Sequence, residues 1–425
     1  MTYSRILNLL IKKKQIIVSA EGGSMLPVLH PGDVLYLTKT NFSKVNEGEI
    51  IFAKKKGKFF IHRIIYKGKN YLITKGDANR VSDGKIAPGQ IFAKLIKLKR
   101  QGRILSPEYY NLIQSTYYIR EINRVIKAFK RHQLDYVFLK GLPLYLYLQK
   151  MIPLRFYADC DLLIARKDYR KAAFLLEKIG FKFNDRSFSG LHRLLKKKPT
   201  EYMFIKKKGV FPVVLDIHLE PVFLMNQLSG LDCLYPQLYL DKLSSDFLKK
   251  KQDAVINNSM FRLLSSSHQI IYLALHFFHH NFRGFHRLQL LRDSVQHYSG
   301  PWEKPAEMIK KYKLDNFVYP AFAAVKRFYP GTLTGKYLTA ITPSAAVLDK
   351  TKAILKDIEL SSEESQLKEG IERFMNIFLF SPQPNLKKIS VFLNPQVLYS
   401  ILFTVFEQLQ HIDRLIFLKK KSAES

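Results

Sequence analysis

Two acidic stretches near the middle of the chain constrain its fold and chemistry more than any other feature: Arg155-Phe-Tyr-Ala-Asp159-Cys-Asp161-Leu-Leu-Ile, and further on Val213-Val-Leu-Asp216-Ile-His218. Asp159 and Asp161 lie two apart in an apolar, β-prone run, so a strand projects both carboxylates from one face and Cys160 from the other. Asp216 sits in a second such run. Should the two strands lie side by side, three carboxylates meet, which is costly unless a divalent cation neutralises them. Hard oxygen donors on a rigid sheet suit Mg²⁺ or Mn²⁺ holding a nucleoside triphosphate.

The flanks of these stretches fit that reading. Tyr136-Val-Phe-Leu-Lys140-Gly141-Leu-Pro143 reads as a short buried strand broken by glycine and followed by a helix to about residue 150, where a backbone nest could meet phosphates. Tyr169 to Gly180 reads as an amphipathic helix with glycine at its stop position. The order helix, strand, Gly turn, helix, acidic strand, helix, strand pair resembles the nucleotidyltransferase fold of the polymerase-β superfamily, and in particular poorly characterised bacterial nucleotidyltransferases whose Gly turn reads Lys-Gly. That resemblance implies metal binding by Asp159 and Asp161, with Asp216 completing the site and helping to deprotonate or orient an attacking hydroxyl. Lys140, Gly141 and Arg155 would face the triphosphate. The superfamily's commoner Gly-Ser pair is here Gly141-Leu142.

The resemblance extends to a helical subdomain with recurring histidines, from His268 through His276, His279, His280 and His286 to Asp293. His276 and His280 fall at zinc-ligand spacing on one helix face, but no glutamate or cysteine accompanies them. Helix packing, or the lining of an acceptor pocket, is the preferred reading.

The first hundred or so residues differ from the rest, with short apolar strands between Gly, Pro and Asp turns, as in a compact all-β unit. Gly22-Gly23-Ser24-Met25-Leu26-Pro27, Pro31-Gly32-Asp33, His62-Arg63 and Lys75-Gly76-Asp77-Ala78-Asn79 follow one another in order, with Asp83 beyond. A serine is a weak nucleophile without a base, so hydrolysis needs a proton acceptor and an orienting acid beside it. Ser24 after two glycines can protrude, His62 can take its proton, and Asp83 or Asp77 can orient the ring. The ordered set resembles the signal peptidase family in its Ser-His-Asp branch. By that resemblance Ser24 is the nucleophile, His62 the general base and Asp83 the third member, with Asp77 beside it. Signal peptidases hold a transmembrane helix before the serine motif. Here the residues before Gly22 are interrupted by Lys12-Lys13-Lys14, so a peptide-maturing or self-processing protease is expected instead of one acting at a translocon.

Three domains are therefore expected: residues 1–105, an all-β peptidase-like unit; 106–248, an α+β nucleotidyltransferase unit opened by a helix at Ser106-Pro107-Glu108; and 249–425, a mostly helical subdomain. The formal net charge of +34 favours anionic partners. Nucleotide fits. The lysine triplets are dispersed and not interleaved with aromatics, so nucleic acid is admitted but not favoured. Two cysteines, Cys160 and Cys233, form no disulfide framework, which suits a reducing cytoplasm. The apolar run Val397 to Phe406 is too short to span a bilayer and reads as a core helix, with at most peripheral membrane contact beside the tail from Leu415. The functional expectation is a bifunctional peptidase and metal-dependent nucleotidyltransferase acting on a peptide or protein. Its rival is a non-catalytic protein that binds peptide and nucleotide.

Overall fold

The computed structural model describes residues 13–79, 81–149, 157, 159–184, 200–207, 211–221, 223–224, 230–256, 259–357, 366–399 and 401–402. Its first part is β-rich and its last part mostly helical. The strands β1 (Gln15–Ser19), β2 (Val34–Lys39), β3 (Ile50–Lys55), β4 (Lys58–Lys67), β5 (Leu72–Lys75), β6 (Gly84–Ile86), β7 (Ile91–Arg100) and β8 (Arg103–Leu105) make one antiparallel sheet. Its order is β1-β2-β7-β3-β4-β5-β6, with β8 on β7. Two hairpins close over Lys56-Gly57 and Gln101-Gly102, each pair at positive φ, the backbone that matches strand twist. In β3, Ile50 and Phe52 join one apolar cluster while Ile51 and Ala53 join another. Both faces of that strand are covered, so its sequence is continuously apolar instead of alternating.

The second sheet contains β9 (Tyr136–Lys140), β10 (Cys160–Ile164), β11 (Lys182–Phe183), β12 (Glu201–Lys206), β13 (Val213–His218), β14 (Lys251–Ile256) and β15 (Ser259–Leu264). Its order is β11-β12-β13-β10-β9-β15-β14, with β10 parallel to β13 and β15 parallel to β9. The border expected at residue 248 therefore cuts through a sheet. The hairpin at 251–264 covers the open edge of β9, pairing Leu263 with Phe138, so the residues after 248 complete the sheet before the helices begin.

Helix α1 (Tyr109–Arg131) begins with Glu108 as its N-cap, and Leu112 near its start lies exposed. The buried face mixes apolar side chains with anchors for the sheet. The Tyr118 hydroxyl donates to Val214 O (2.8 Å) and accepts from Val214 N (2.9 Å). Glu121 receives Lys206 Nζ at 2.6 Å. These bonds fix β12 and β13 against α1 and so set the position of Asp216. Lys206 belongs to a lysine triplet, yet it is buried against Glu121 and Ile179 O.

The remaining helices are α2 (Leu142–Gln149), α3 (Tyr169–Lys178), α4 (Gln237–Lys249), α5 (Ser266–His279), α6 (Phe285–His297), α7 (Glu303–Lys311), α8 (Asp315–Phe328), α9 (Gly335–Ala340), α10 (Ala345–Asp357), α11 (Gln366–Phe380) and α12 (Asn385–Ile389). All but α12 share one apolar core with the second sheet, and Tyr66 and Ile73 of the first sheet reach into it. Val397 is buried, whereas Leu398, Tyr399 and Leu402 are exposed; the rest of the expected helix to Phe406 lies outside the described residues. Among the described residues, no helix is long and apolar enough to cross a membrane.

Candidate active sites

Parallel pairing of β10 and β13 sets Asp161 directly against Asp216. Asp159 lies one residue before β10, and one ligand atom from each of the three carboxylates falls within 4.8 Å of the others. Gly141, at φ +101°, makes this approach possible: a Cβ there would sit 3.1 Å from Cys160 Cα and 3.2 Å from Asp159 O. The turn glycine is thus a packing requirement of the acidic strand.

Two cations already meet Asp161. Lys140 Nζ is 2.5 Å from its Oδ2 and 3.4 Å from Asp159 Oδ2, while His218 Nε2 donates to its Oδ1 at 2.9 Å. Burial alone would raise the Asp161 pKa, but Lys140 and His218 outweigh it and hold the carboxyl at about 2. Burial would likewise depress His218, but Glu201 and Asp161 raise it to about 9. For Asp216 the balance is reversed: burial, then repulsion from Asp161 and Glu201, outweighs the pull of His218 and pushes it up to about 8, and its buried Oδ1 lacks a hydrogen-bond partner among the described residues. An orphaned carboxylate oxygen beside two further carboxylates fits a hard divalent cation.

In the sequence reading Lys140 faces a triphosphate; in the structure its ammonium lies on the carboxylates. Arg155 lies outside the described residues. His218 was not among the expected site residues, although its place two after Asp216 on one strand puts both side chains on the same face.

A second constellation lies in the β-rich part. Ser24 Oγ is 3.0 Å from His62 Nε2, and His62 Nδ1 is 2.8 Å from Asp83 Oδ2. Thr74 Oγ1 donates to the same Asp83 oxygen at 2.7 Å, and Lys55 Nζ holds the Asp83 carbonyl. The three members come from the turn after β1, from β4 and from the segment before β6. Ala78 N bonds Ser24 O at 2.9 Å, and a Cβ on Gly76 would stand 2.5 Å from that same carbonyl. The Lys-Gly-Asp turn therefore needs glycine to lie against the serine turn. Asp77 does not orient the imidazole. Arg63 takes it in a two-pronged pair at 2.8 and 2.7 Å and donates a further bond to Gly48 O at 2.8 Å, because adjacent residues on β4 point His62 and Arg63 to opposite faces. Thr74 gave no signal in the sequence beyond alternation in β5.

A family profile described as an uncharacterised nucleotidyltransferase matches residues 103–330, more than half of the chain. The chain belongs to that family. Membership supports a nucleotidyltransferase-type enzyme and implies a nucleoside triphosphate substrate, and the matched stretch contains all three carboxylates, Lys140, Gly141 and His218. The chain is also 38% identical over 74 residues to the signal peptidase complex catalytic subunit SEC11C of human, mouse and dog, 16% of this chain and 38% of each relative. The chain thus spans little more than a third of the length of those relatives. No solved structure matches it significantly.

Proposed function

We propose that the nucleotidyltransferase part transfers a nucleoside monophosphate from a nucleoside triphosphate to a hydroxyl acceptor. The observation that carries this reading is the buried, unpartnered Asp216 Oδ1 beside Asp159 and Asp161. Mg²⁺ or Mn²⁺ held by these carboxylates would draw charge from the triphosphate as pyrophosphate leaves. The chain's own groups supply the rest. Asp216 orients the acceptor hydroxyl and takes its proton, the acceptor oxygen bonds to the α-phosphorus, and the bond to the bridging oxygen breaks with its electron pair going to pyrophosphate. Lys140, whose ammonium lies on Asp161 and Asp159, is a cation beside the site that would meet the phosphates. Calorimetry with a nucleoside triphosphate, with and without the metal, tests this. Tight metal-dependent binding and pyrophosphate release are expected, and absence of any binding in the presence of metal overturns the reading.

The hydrogen-bonded Ser24, His62 and Asp83 support a second activity, a serine peptidase that matures a peptide or protein. Ser24 Oγ would attack the peptide carbonyl carbon as His62 Nε2 takes its proton. His62 then returns that proton to the leaving amine as the C–N bond breaks, and water releases the acyl group. Asp83, fixed by Thr74, holds the tautomer. Labelling of Ser24 by a serine-directed phosphonate is the test. No labelling, together with no cleavage of varied peptides, favours a non-catalytic module that binds peptide and nucleotide.

A further inference from the structure

Lys140 reaches Asp161 through an irregularity in the second sheet. Strands β9 and β10 run antiparallel, with Tyr136 opposite Ile164, Val137 opposite Leu163 and Phe138 opposite Leu162. Continued without interruption, that register would set Leu139 against Asp161. A bulge between Asp161 and Leu162 intervenes, and Lys140 takes the place instead. Residues directly opposite on paired strands share a face. The bulge therefore exchanges an apolar neighbour of Asp161 for a cation, the re-aiming of a side chain for which bulges recur beside functional sites.

The ammonium takes up oxygens that a metal ligand must offer. Lys140 Nζ lies 2.5 Å from Asp161 Oδ2 and 3.4 Å from Asp159 Oδ2, while His218 holds the other oxygen of Asp161 at 2.9 Å. Both oxygens of Asp161 are thus engaged, whereas Asp216 Oδ1 has no hydrogen-bond partner among the described residues. The two cations differ in freedom. His218 ends β13 on a short side chain that is buried with Asp161. Lys140 ends β9, just before the Gly141 turn, on a flexible four-carbon stem. Its weaker contact also points outward: the Asp159 side chain is 45% exposed and that of Asp161 only 4%. Of the two cations, the lysine is the one that can leave.

We infer that Lys140 competes with the divalent ion for Asp159 and Asp161, and that it changes partner when the ion binds, passing from the carboxylates to the phosphates of the triphosphate. The inference rests on the transferase reading for the ion and the triphosphate, and it adds a role for one residue: Lys140 couples the two ligands. With the ion alone, the carboxylates gain a stronger counter-charge but the ammonium loses its own and is left beside a like charge. With the triphosphate as well, the displaced ammonium meets new anionic oxygens. Each ligand therefore favours the other through the lysine, and by linkage the gain is equal in both directions.

Mn²⁺ binding to the full chain, stripped of divalent metal and free of nucleotide, tests the competition and is read from the electron paramagnetic resonance of the unbound ion. Lys140→Met is expected to bind Mn²⁺ at least about tenfold more tightly than wild type, because no ammonium has to be displaced. Lys140→Gln is neutral as well and decides the question should Lys140→Met not fold. Lys140→Arg keeps a cation on the carboxylates, in a fork that suits them, and should bind Mn²⁺ no more tightly than wild type. The same titrations with a saturating non-hydrolysable triphosphate give the coupling: wild type gains Mn²⁺ affinity on its addition, and the neutral variants gain at least about tenfold less. Neutral variants that bind Mn²⁺ no more tightly than wild type overturn the competition. Neutral variants that bind it more tightly yet keep the full coupling overturn the change of partner, since the lysine then only repels the ion. Both failures leave the transferase reading standing where wild type binds metal and triphosphate together. Tighter Mn²⁺ binding by the neutral variants, with no triphosphate binding by any form, would sink that reading and leave the competition in place.

Discussion

The two candidate sites in this chain differ in how far protein atoms alone complete them. In the β-rich part both ring nitrogens of the relay histidine have a partner: His62 bonds Ser24 through one and Asp83 through the other, and Thr74 shares the same Asp83 oxygen. In the transferase part Asp161 is satisfied by Lys140 and His218, but Asp216 Oδ1 has no hydrogen-bond partner among the described residues. A complete relay needs only a substrate to act on, whereas an incomplete carboxylate set is built around something that must still arrive. The contrast also separates the two kinds of evidence a site can offer, geometry that works as it stands and geometry whose defect points to a ligand.

The largest effect should come from breaking the complete site. His62→Ala is expected to slow phosphonate labelling of Ser24 by about 10⁴-fold or more, since His62 Nε2 is the group hydrogen-bonded to Ser24 Oγ and placed to take its proton. Asp77→Asn should leave the ring's orientation intact, because Asp77 serves Arg63; any loss of labelling there would track loss of fold, read by circular dichroism. Equal labelling of wild type and His62→Ala would show that the relay is only structural.

The incomplete site allows a comparison between two neighbours on paired strands. Asp161→Asn strands Lys140 and His218 as buried charges and should cost about 3 kcal/mol in the metal-free protein. Asp216→Asn removes a carboxylate that has no counter-ion of its own and should change stability by less than about 1 kcal/mol, in the stabilising direction. Both should lose metal-dependent triphosphate binding. Chemical denaturation of the two variants decides the matter, and equal costs would mean that Asp216 is as well paired as Asp161. The expectation from sequence alone, that three carboxylates repel one another until a cation comes, applies to Asp216 and not to Asp161, whose charge is already met.

A third test uses a histidine with one idle nitrogen. His268 Nδ1 meets Ser265 Oγ at 2.5 Å, its Nε2 has no hydrogen-bond partner among the described residues, and Phe247 packs against the ring edge-on. Burial drives it from 6.5 down to about 4. The unfolded chain therefore binds the proton more readily between those values, so the stability contribution is fully present above pH 6.5 and is lost as pH falls towards 4. The loss should reach about 3 kcal/mol. His268→Gln should flatten this part of the stability profile, measured by thermal melts across that range, while leaving the neutral-pH chemistry of the carboxylates untouched. An unchanged profile would show that His268 is reached by water.

Much of this was legible in the chain because local pattern carried it. Short apolar runs between Gly, Pro and Asp turns marked the β-rich part, the spacing of Asp159 and Asp161 placed them on one face, and glycine positions marked the turns at Gly141 and Gly76, both needed for close backbone approach. What escaped depends on contacts between distant segments. Nothing near Lys251 says that a basic stretch continues a sheet until β9 needs an edge partner. Asp77 and Asp83 looked interchangeable until the opposite facing of His62 and Arg63 divided them. Lys206 looked like part of a solvated triplet until Glu121 was found beneath it.

The smallest effect bears on whether the two parts are joined or merely tethered. Tyr66 of β4 stacks on Phe285 at 4.5 Å, meets Phe328 and Tyr329 edge-on, and donates its hydroxyl to Phe328 O at 3.3 Å. Beside it Glu47 accepts from Gln289 Nε2 at 2.9 Å and from Lys67 N at 3.0 Å, with Arg292 at 3.8 Å, and Gln289 also donates to Ile65 O at 3.1 Å. The β-rich part, which carries His62 on the same strand as Tyr66, is thus seated on α6 and the end of α8. Gln289→Ala removes two bonds from one side chain but leaves Glu47 its other partners, so the cost should be about 1 kcal/mol. Because the bonds cross between the parts, that cost should appear in both at once: the melting of the β-rich part, followed by loss of phosphonate labelling, and that of the helical part, followed by circular dichroism, should shift together. A shift in only one of them would mean that the two parts unfold independently and that the contact through Tyr66 does not couple their stabilities.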